Sequence, residues 1–156
     1  MKLTDEVSVV VPAPPARVWA LLADLPRMGE WSPECTGCTW DDPGAPFGPG
    51  RTFVGHNRWG LLRWTTRGEL EVCEVDRELV YVTGRGGRPL TRWSYRLEPV
   101  EGGTRVTESY ESLETPTVML AVERLLGRPA RLRRGMGETL DRLSVAAARG
   151  QGRQES

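Results

Sequence analysis

The sequence predicts an α+β fold: a strongly curved, seven-stranded antiparallel sheet wrapped around one long C-terminal helix, with two short helices after the first strand. Three observations carry that expectation. Between Arg51 and Leu113 apolar and polar residues alternate with period two, broken by turn residues at Trp59-Gly60, Asp76-Arg77, Gly84 to Gly87 and Glu101 to Gly103, as in successive hairpins. From Thr117 to Arg149, Val118, Val122, Leu125, Leu132, Met136, Leu140, Leu143 and Ala147 recur at helical steps. The strand alternation also sorts large aromatic residues onto one sheet face and charges onto the other, so one face needs a cover.

The elements follow in order. Val7 to Val11 is short and β-branched and stops at Pro12-Ala13-Pro14-Pro15, where amide donors are missing, so it reads as the first strand. Proline suits a first helical turn, and Val18, Leu21, Leu22 and Leu25 follow at helical spacing, which predicts a helix over Pro15 to Ala23. A second helical turn ends near Trp31-Ser32-Pro33, and Glu34 to Trp40 runs extended. Asp42 to Gly50 is crowded with proline and glycine and must be a loop. In the hairpins, Phe53, Gly55 and Asn57 share a face with Trp64, Thr66, Leu79, Tyr81, Thr83, Trp93, Tyr95, Leu97, Val106, Glu108 and Tyr110. Arg92, Arg96, Arg105 and Glu111 fall on the other. Gly127-Arg128-Pro129 should break or kink the long helix, with Pro129 opening its second part. One domain over residues 1–149 is expected, followed by a frayed tail from Gly150 to Ser156.

Composition excludes several function classes. The chain has 156 residues, 38% hydrophobic and 27% charged, which is a globular balance. Its 21 basic side chains match 21 acidic ones, so no long-range field favours nucleic acid. The cluster Arg128, Arg131, Arg133 and Arg134 therefore reads as a solvated helix face. No window is apolar and long enough to span a membrane, and no secretory leader is expected. Three cysteines, an odd number, fit a reducing compartment, and the expected location is cytoplasmic.

Cys35-Thr36-Gly37-Cys38 has redox or zinc spacing, but no second pair accompanies it and His56 is the sole histidine. Residues three apart on an extended segment face opposite sides, so neither a metal nor a dithiol site is expected. His56 itself should face outward, opposite in parity to Asn57. Gly84 to Gly87 opens no helix and is a hairpin turn, not a phosphate cradle. No metal, nicotinamide or other cofactor is implied.

The inner face suggests a site because it mixes aromatic and polar groups, more than a solid core could pair. Asn57, Trp64, Thr66, Tyr81, Thr83, Trp93, Tyr95 and Tyr110 are the candidate lining, with Met136 added from the helix. Glu108 is the candidate catalytic group. Pointing inward, it would have a raised pKa suited to proton transfer on a carbonyl, or it would be a structural carboxylate bonded to a tyrosine, tryptophan or arginine.

Several stretches in order resemble the START-like, SRPBCC superfamily with the helix-grip fold, in its polyketide cyclase/dehydrase branch. The carriers are Val9 to Pro14 followed by Val18 to Asp24, then Trp31-Ser32-Pro33, Phe53 to Asn57, Trp64-Thr65-Thr66, Trp93 to Pro99, Gly103 to Ser109 and Gly135 to Leu140. The resemblance covers about Val7 to Arg149. It implies hydrophobic-ligand carriage or lipid transfer, an aromatase/cyclase that folds and dehydrates a polyketide chain, or a co-chaperone-like partner-binding module. The leading expectation is a monomer or homodimer that binds a hydrophobic or aromatic small molecule between sheet and helix.

Overall fold

The computed structural model describes residues 3–152. One antiparallel sheet of seven strands organises them, in the spatial order β1-β7-β6-β5-β4-β3-β2. Strand β1 (Thr4–Val11) pairs with β7 (Gly103–Ser112) at one edge, and β2 (Cys35–Trp40) with β3 (Thr52–Trp59) at the other. Between them run β4 (Leu62–Glu74), β5 (Glu78–Arg85) and β6 (Arg88–Val100). Consecutive strands are neighbours from β2 to β7; the Asp42 to Gly50 loop joins β2 to β3, while short turns suffice from β3 to β7, where Gly60, Asp76, Gly86, Gly87 and Gly102 take the positive φ those turns require. β1 begins at Thr4, earlier than its β-branched core at Val7, because its backbone stays paired with β7 as far as Glu111.

Helix α1 (Pro15–Ala23) starts on its proline and buries Val18, Trp19, Leu21 and Leu22. A 3-10 turn (Leu25–Glu30) follows and packs on β2. Gly29 is obligatory there, since a Cβ on it would lie 2.1 Å from the Thr36 carbonyl oxygen. Another close approach joins β7 to the proline segment: Thr104 is fully buried and its hydroxyl donates to the Ala13 carbonyl at 2.7 Å.

The C-terminal pattern resolves into α2 (Thr117–Leu125) and α3 (Arg128–Gly152), separated by Gly127 at φ 73°. α3 continues beyond Arg149 to Gly152; the rest of the expected frayed tail lies outside the described residues. α3 lies chiefly along β1, with lesser contact to β7, α1 and α2. Its Leu140, Leu143 and Ala147 join the main core with α1, Phe53, Leu79, Tyr81 and Tyr95. Met136 belongs to a smaller cluster with Leu3, Tyr110 and Leu120, and Trp93 packs against both clusters.

The helical spacing predicts one apolar stripe running through the break, but Val118, Val122 and Leu125 are 75%, 48% and 91% exposed, and α2 buries Leu120 instead. The left-handed residue at Gly127 redirects the chain, so the phase of α3 does not extend back into α2. Leu125→Ser should accordingly change stability by less than about 0.5 kcal/mol in urea unfolding, whereas Leu120→Ala should cost about 2–4 kcal/mol.

The outer sheet face carries the expected charges as cross-strand pairs, Arg92 with Glu71 and Glu111, Arg96 with Glu6, and Arg105 with Glu98. These are largely solvated and add little stability. Most of the basic cluster on α3 is engaged within the chain. Arg128 pairs with Glu123, Arg133 reaches Asp5 at 2.6 Å, and the Arg131 guanidinium sits 4.2 Å from the ring centre of Trp59. No helix among the described residues is long and apolar enough to cross a membrane.

Candidate functional site

Register places the candidate residues in cross-strand rows. Tyr95 on β6 lies directly opposite Glu108 on β7, and Val7 on β1 flanks Glu108 from the far side. The next row toward the β3–β4 turn sets Tyr110, Trp93 and Tyr81 side by side, and Thr83 and Thr91 form the row beyond. Farther along the sheet Thr66 opposes Gly55 and Trp64 opposes Asn57. Because side chains alternate, every one of these residues shares the inner face.

Exposure falls steadily into the fold. Asn57, Trp64, Thr66, Thr83 and Trp93 are half-buried, while Tyr81, Tyr95, Glu108, Tyr110 and Met136 are buried. The half-buried groups pair along the sheet: the Asn57 amide donates to the Thr66 hydroxyl at 3.4 Å and the Trp93 indole N–H to the Thr83 hydroxyl at 3.2 Å. Deeper in, the Tyr95 hydroxyl donates to Glu108 Oε1 at 2.9 Å.

Glu108 is the chemically distinctive member. Burial pushes its pKa up to about 8, with the Tyr95 hydrogen bond pulling the other way, so at neutral pH the group is mainly a protonated acid. Its Oε2 is buried with no protein partner. Half of the carboxyl's hydrogen-bonding capacity is therefore unused in the apolar interior, where an unsatisfied polar atom is costly. Burial, and next the Glu108 charge, also push the Tyr81 and Tyr95 phenols well above their ordinary range. Both phenols stay neutral and can serve as donors. The arrangement thus offers one acid and two hydroxyls, and no strong base.

Aromatic rings pack closely around these groups. Trp93 and Tyr110 have ring centres 5.8 Å apart, Tyr81 and Tyr95 6.4 Å, and Phe53 meets Tyr81 edge-on at 5.7 Å. The Tyr81 hydroxyl reaches Met28 Sδ on the 3-10 turn at 3.9 Å. Two concavities stand out at the surface, and neither lies beside Glu108. One, of about 390 Å³, opens at the β2–β3–β4 edge against Asn57, Trp64, Thr36 and His56. The other, of about 340 Å³, lies among charged outer-face residues such as Arg77 and Arg96. Asn57 and Trp64 thus border open space, whereas Tyr95 and Glu108 are buried from solvent.

His56 faces outward as its parity requires, with Nε2 3.0 Å from the Thr39 hydroxyl. Among the described residues no group of three or more His, Cys, Asp or Glu side chains is placed to hold a metal ion. The parity argument against Cys35 and Cys38, however, is overturned. A bulge in β2 brings the two sulfurs to 3.9 Å. Spacing alone could not reveal a bulge.

An open antiparallel sheet holding a long C-terminal helix against its inner face defines the helix-grip class. The chain belongs to the family described as polyketide cyclase/dehydrase and lipid transport, whose model matches residues 3–147. It is 34% identical to a polyketide-cyclase-like protein from Corynebacterium glutamicum, Cgl2372, over 92% of this chain and 90% of that one, with a TM-score of 0.64. Its fold is similar to that of the Zhui aromatase/cyclase from a Streptomyces species, at 14% identity, 96% and 95% coverage and a TM-score of 0.75. It is also similar to the di-domain aromatase/cyclase StfQ of the steffimycin biosynthetic pathway, at 15% identity and a TM-score of 0.76, over 97% of this chain and 52% of that one. No curated protein matches the sequence.

Proposed function

We propose that the protein binds a hydrophobic or aromatic small molecule bearing a carbonyl group, on the inner sheet face between the β3–β4 side and α3. The observation that carries this reading is the unpartnered Oε2 of Glu108 beside the Tyr95 hydroxyl. A protonated acid there donates to a carbonyl oxygen, and the buried aromatic rings supply apolar contact. The ligand enters from the half-buried end, past Asn57, Trp64, Thr66 and Thr83, and the rings deeper in part to receive it. Affinity comes from apolar burial, and the polar groups orient the guest.

The test is binding of an environment-sensitive apolar dye, displaced by an aromatic ketone. Thr66→Phe fills the half-buried entrance and should weaken binding roughly tenfold or more, with the unfolding midpoint little changed. Unaltered affinity in that variant would remove the inner face as the site.

A second reading, aromatase/cyclase activity, is favoured by the buried Glu108 carboxyl, whose Oε1 accepts from Tyr95 while Oε2 has no protein partner. As an enol carbon of a poly-β-ketone bonds to a carbonyl carbon, the C=O π bond opens and Glu108 gives its proton to that oxygen, while the enol hydroxyl releases its proton, which restores the acid. The new hydroxyl then leaves as water, protonated by Glu108, as the adjacent carbon gives its proton back to the carboxylate and a C=C bond forms. Glu108→Gln should then lower turnover of a poly-β-ketone thioester by about a hundredfold or more while leaving dye affinity intact. Equal turnover by variant and parent would exclude Glu108 as the acid.

A further inference from the structure

We propose that Cys35 and Cys38 form a reversible disulfide, which makes strand β2 a thiol–disulfide switch beside the candidate site. The proposal goes beyond ligand binding and stands independently of it. Three residues apart on a regular strand, the two side chains would face opposite ways. The β2–β3 register shows how they come together: Cys35 lies opposite Asn57, Gly37 opposite His56 and Cys38 opposite Gly55. One extra residue, Thr36, is accommodated in the bulge, so the cysteines oppose β3 residues that are two apart, and both point to the inner face. Their sulfurs are 3.9 Å apart, and the Cys35 thiol also reaches the Gly37 carbonyl at 3.4 Å. Bond formation needs an approach to about 2.05 Å, a movement within reach of side-chain rotation and a small adjustment of the bulge.

The two sulfurs are unequal. Cys35 is half-buried and so reachable from solvent, while Cys38 is buried in the main core. A hydrogen bond with Cys38 draws the Cys35 thiol below its ordinary range; the same bond, together with burial, pushes Cys38 up. That asymmetry matches an attacking and a resolving cysteine. With a hydroperoxide as oxidant, the Cys35 thiolate attacks one peroxide oxygen and the O–O bond breaks. Cys35 becomes a sulfenic acid, and the other oxygen leaves as hydroxide or alkoxide and takes up a proton. The Cys38 sulfur then displaces the sulfenic oxygen, which departs as water with the Cys38 proton. Two electrons have moved from the sulfurs to the peroxide, and an external dithiol returns them.

The bond would lock the β2 bulge next to Asn57, the cross-strand partner of Cys35 and a lining residue of the 390 Å³ concavity. Cys73, on β4, serves as the internal control: it is half-buried, and burial raises its thiol.

The experiment treats the full, reduced chain with equimolar hydrogen peroxide, alkylates free thiols and maps peptides by mass. A Cys35–Cys38 linkage lacking two hydrogens, an alkylated Cys73 and full reversal by dithiothreitol are expected. Cys38→Ser should instead accumulate sulfenic acid on Cys35 that a 1,3-dione probe traps, and Cys35→Ser should leave Cys38 unoxidised. Three alkylated cysteines after treatment, a linkage through Cys73, or sulfinic acid on Cys35 in the parent would each overturn the proposal.

Discussion

Glu108→Gln is expected to flatten the fall of stability between about pH 5 and pH 8. In the folded parent the carboxyl holds its proton up to about pH 8, against 4.5 for an ordinary glutamate, because burial disfavours the anion. Between those values the unfolded chain has released the proton and the folded chain has kept it, so unfolding releases a proton and stability decreases as pH rises. Below pH 4.5 both states are protonated and the ionisation of Glu108 no longer affects stability. Through the interval the loss grows by about 1.4 kcal/mol per pH unit and reaches roughly 4 kcal/mol by pH 8. Glutamine keeps an oxygen to accept from Tyr95 but cannot ionise, so any penalty from its unpaired amide is independent of pH. Urea unfolding of parent and variant at pH 5, 6, 7 and 8 isolates the effect as a difference curve. A gap that widens with pH, in favour of the variant, is the expected result. Parallel curves would mean that Glu108 ionises normally and that the acid assigned to the site does not exist.

What could be read in advance follows from what each signal depends on. That Tyr81, Tyr95, Glu108 and Tyr110 share the buried inner face is legible because alternation along a hairpin is a local property, and one aromatic face demands burial. The break at Gly127 was legible for the same reason: glycine followed by a proline two residues later is local chemistry. Features that depend on how elements meet were not legible. Whether α2 covers the sheet depends on the direction the chain takes after Gly127, which spacing does not encode, and so Val118, Val122 and Leu125 were misassigned to the core. The bulge at Cys35 to Gly37 depends on pairing with β3 and on the Thr36 carbonyl lying against Gly29. The tight interior near Glu108 depends on ring geometry between Phe53, Tyr81 and Tyr95, for which the sequence supplies residues but no distances. Family resemblance supplied the helix-grip order, and it left the role of Glu108 to burial and hydrogen bonding.

A large effect is also expected at Gly68 on β4. It faces Phe53 across the β3–β4 pair, and a Cβ there would lie 2.1 Å from the nearest ring atom and within 2.6 Å of two more. The ring therefore lies flat on the glycine, which is why a residue with no side chain to pack is useful in this strand. Phe53 is 1% exposed and stands between Trp40 and Tyr81 in a run of edge-to-face contacts. Phe53→Ala should cost about 3–5 kcal/mol through the lost burial and the cavity left behind. Gly68→Ala should cost about 1–3 kcal/mol by a different route, because the added methyl drives the ring out of its place against Tyr81. The two changes act on the same few cubic ångströms, so they should not add. With Phe53 already truncated, the methyl of Gly68→Ala occupies vacated space, and the double variant should be more stable than the sum of the single losses predicts by about 1 kcal/mol or more. Urea unfolding of the four proteins measures that coupling directly. Strict additivity would show that the ring does not rest on Gly68, and with it would go the packing that positions Tyr81 beside Tyr95 and Glu108.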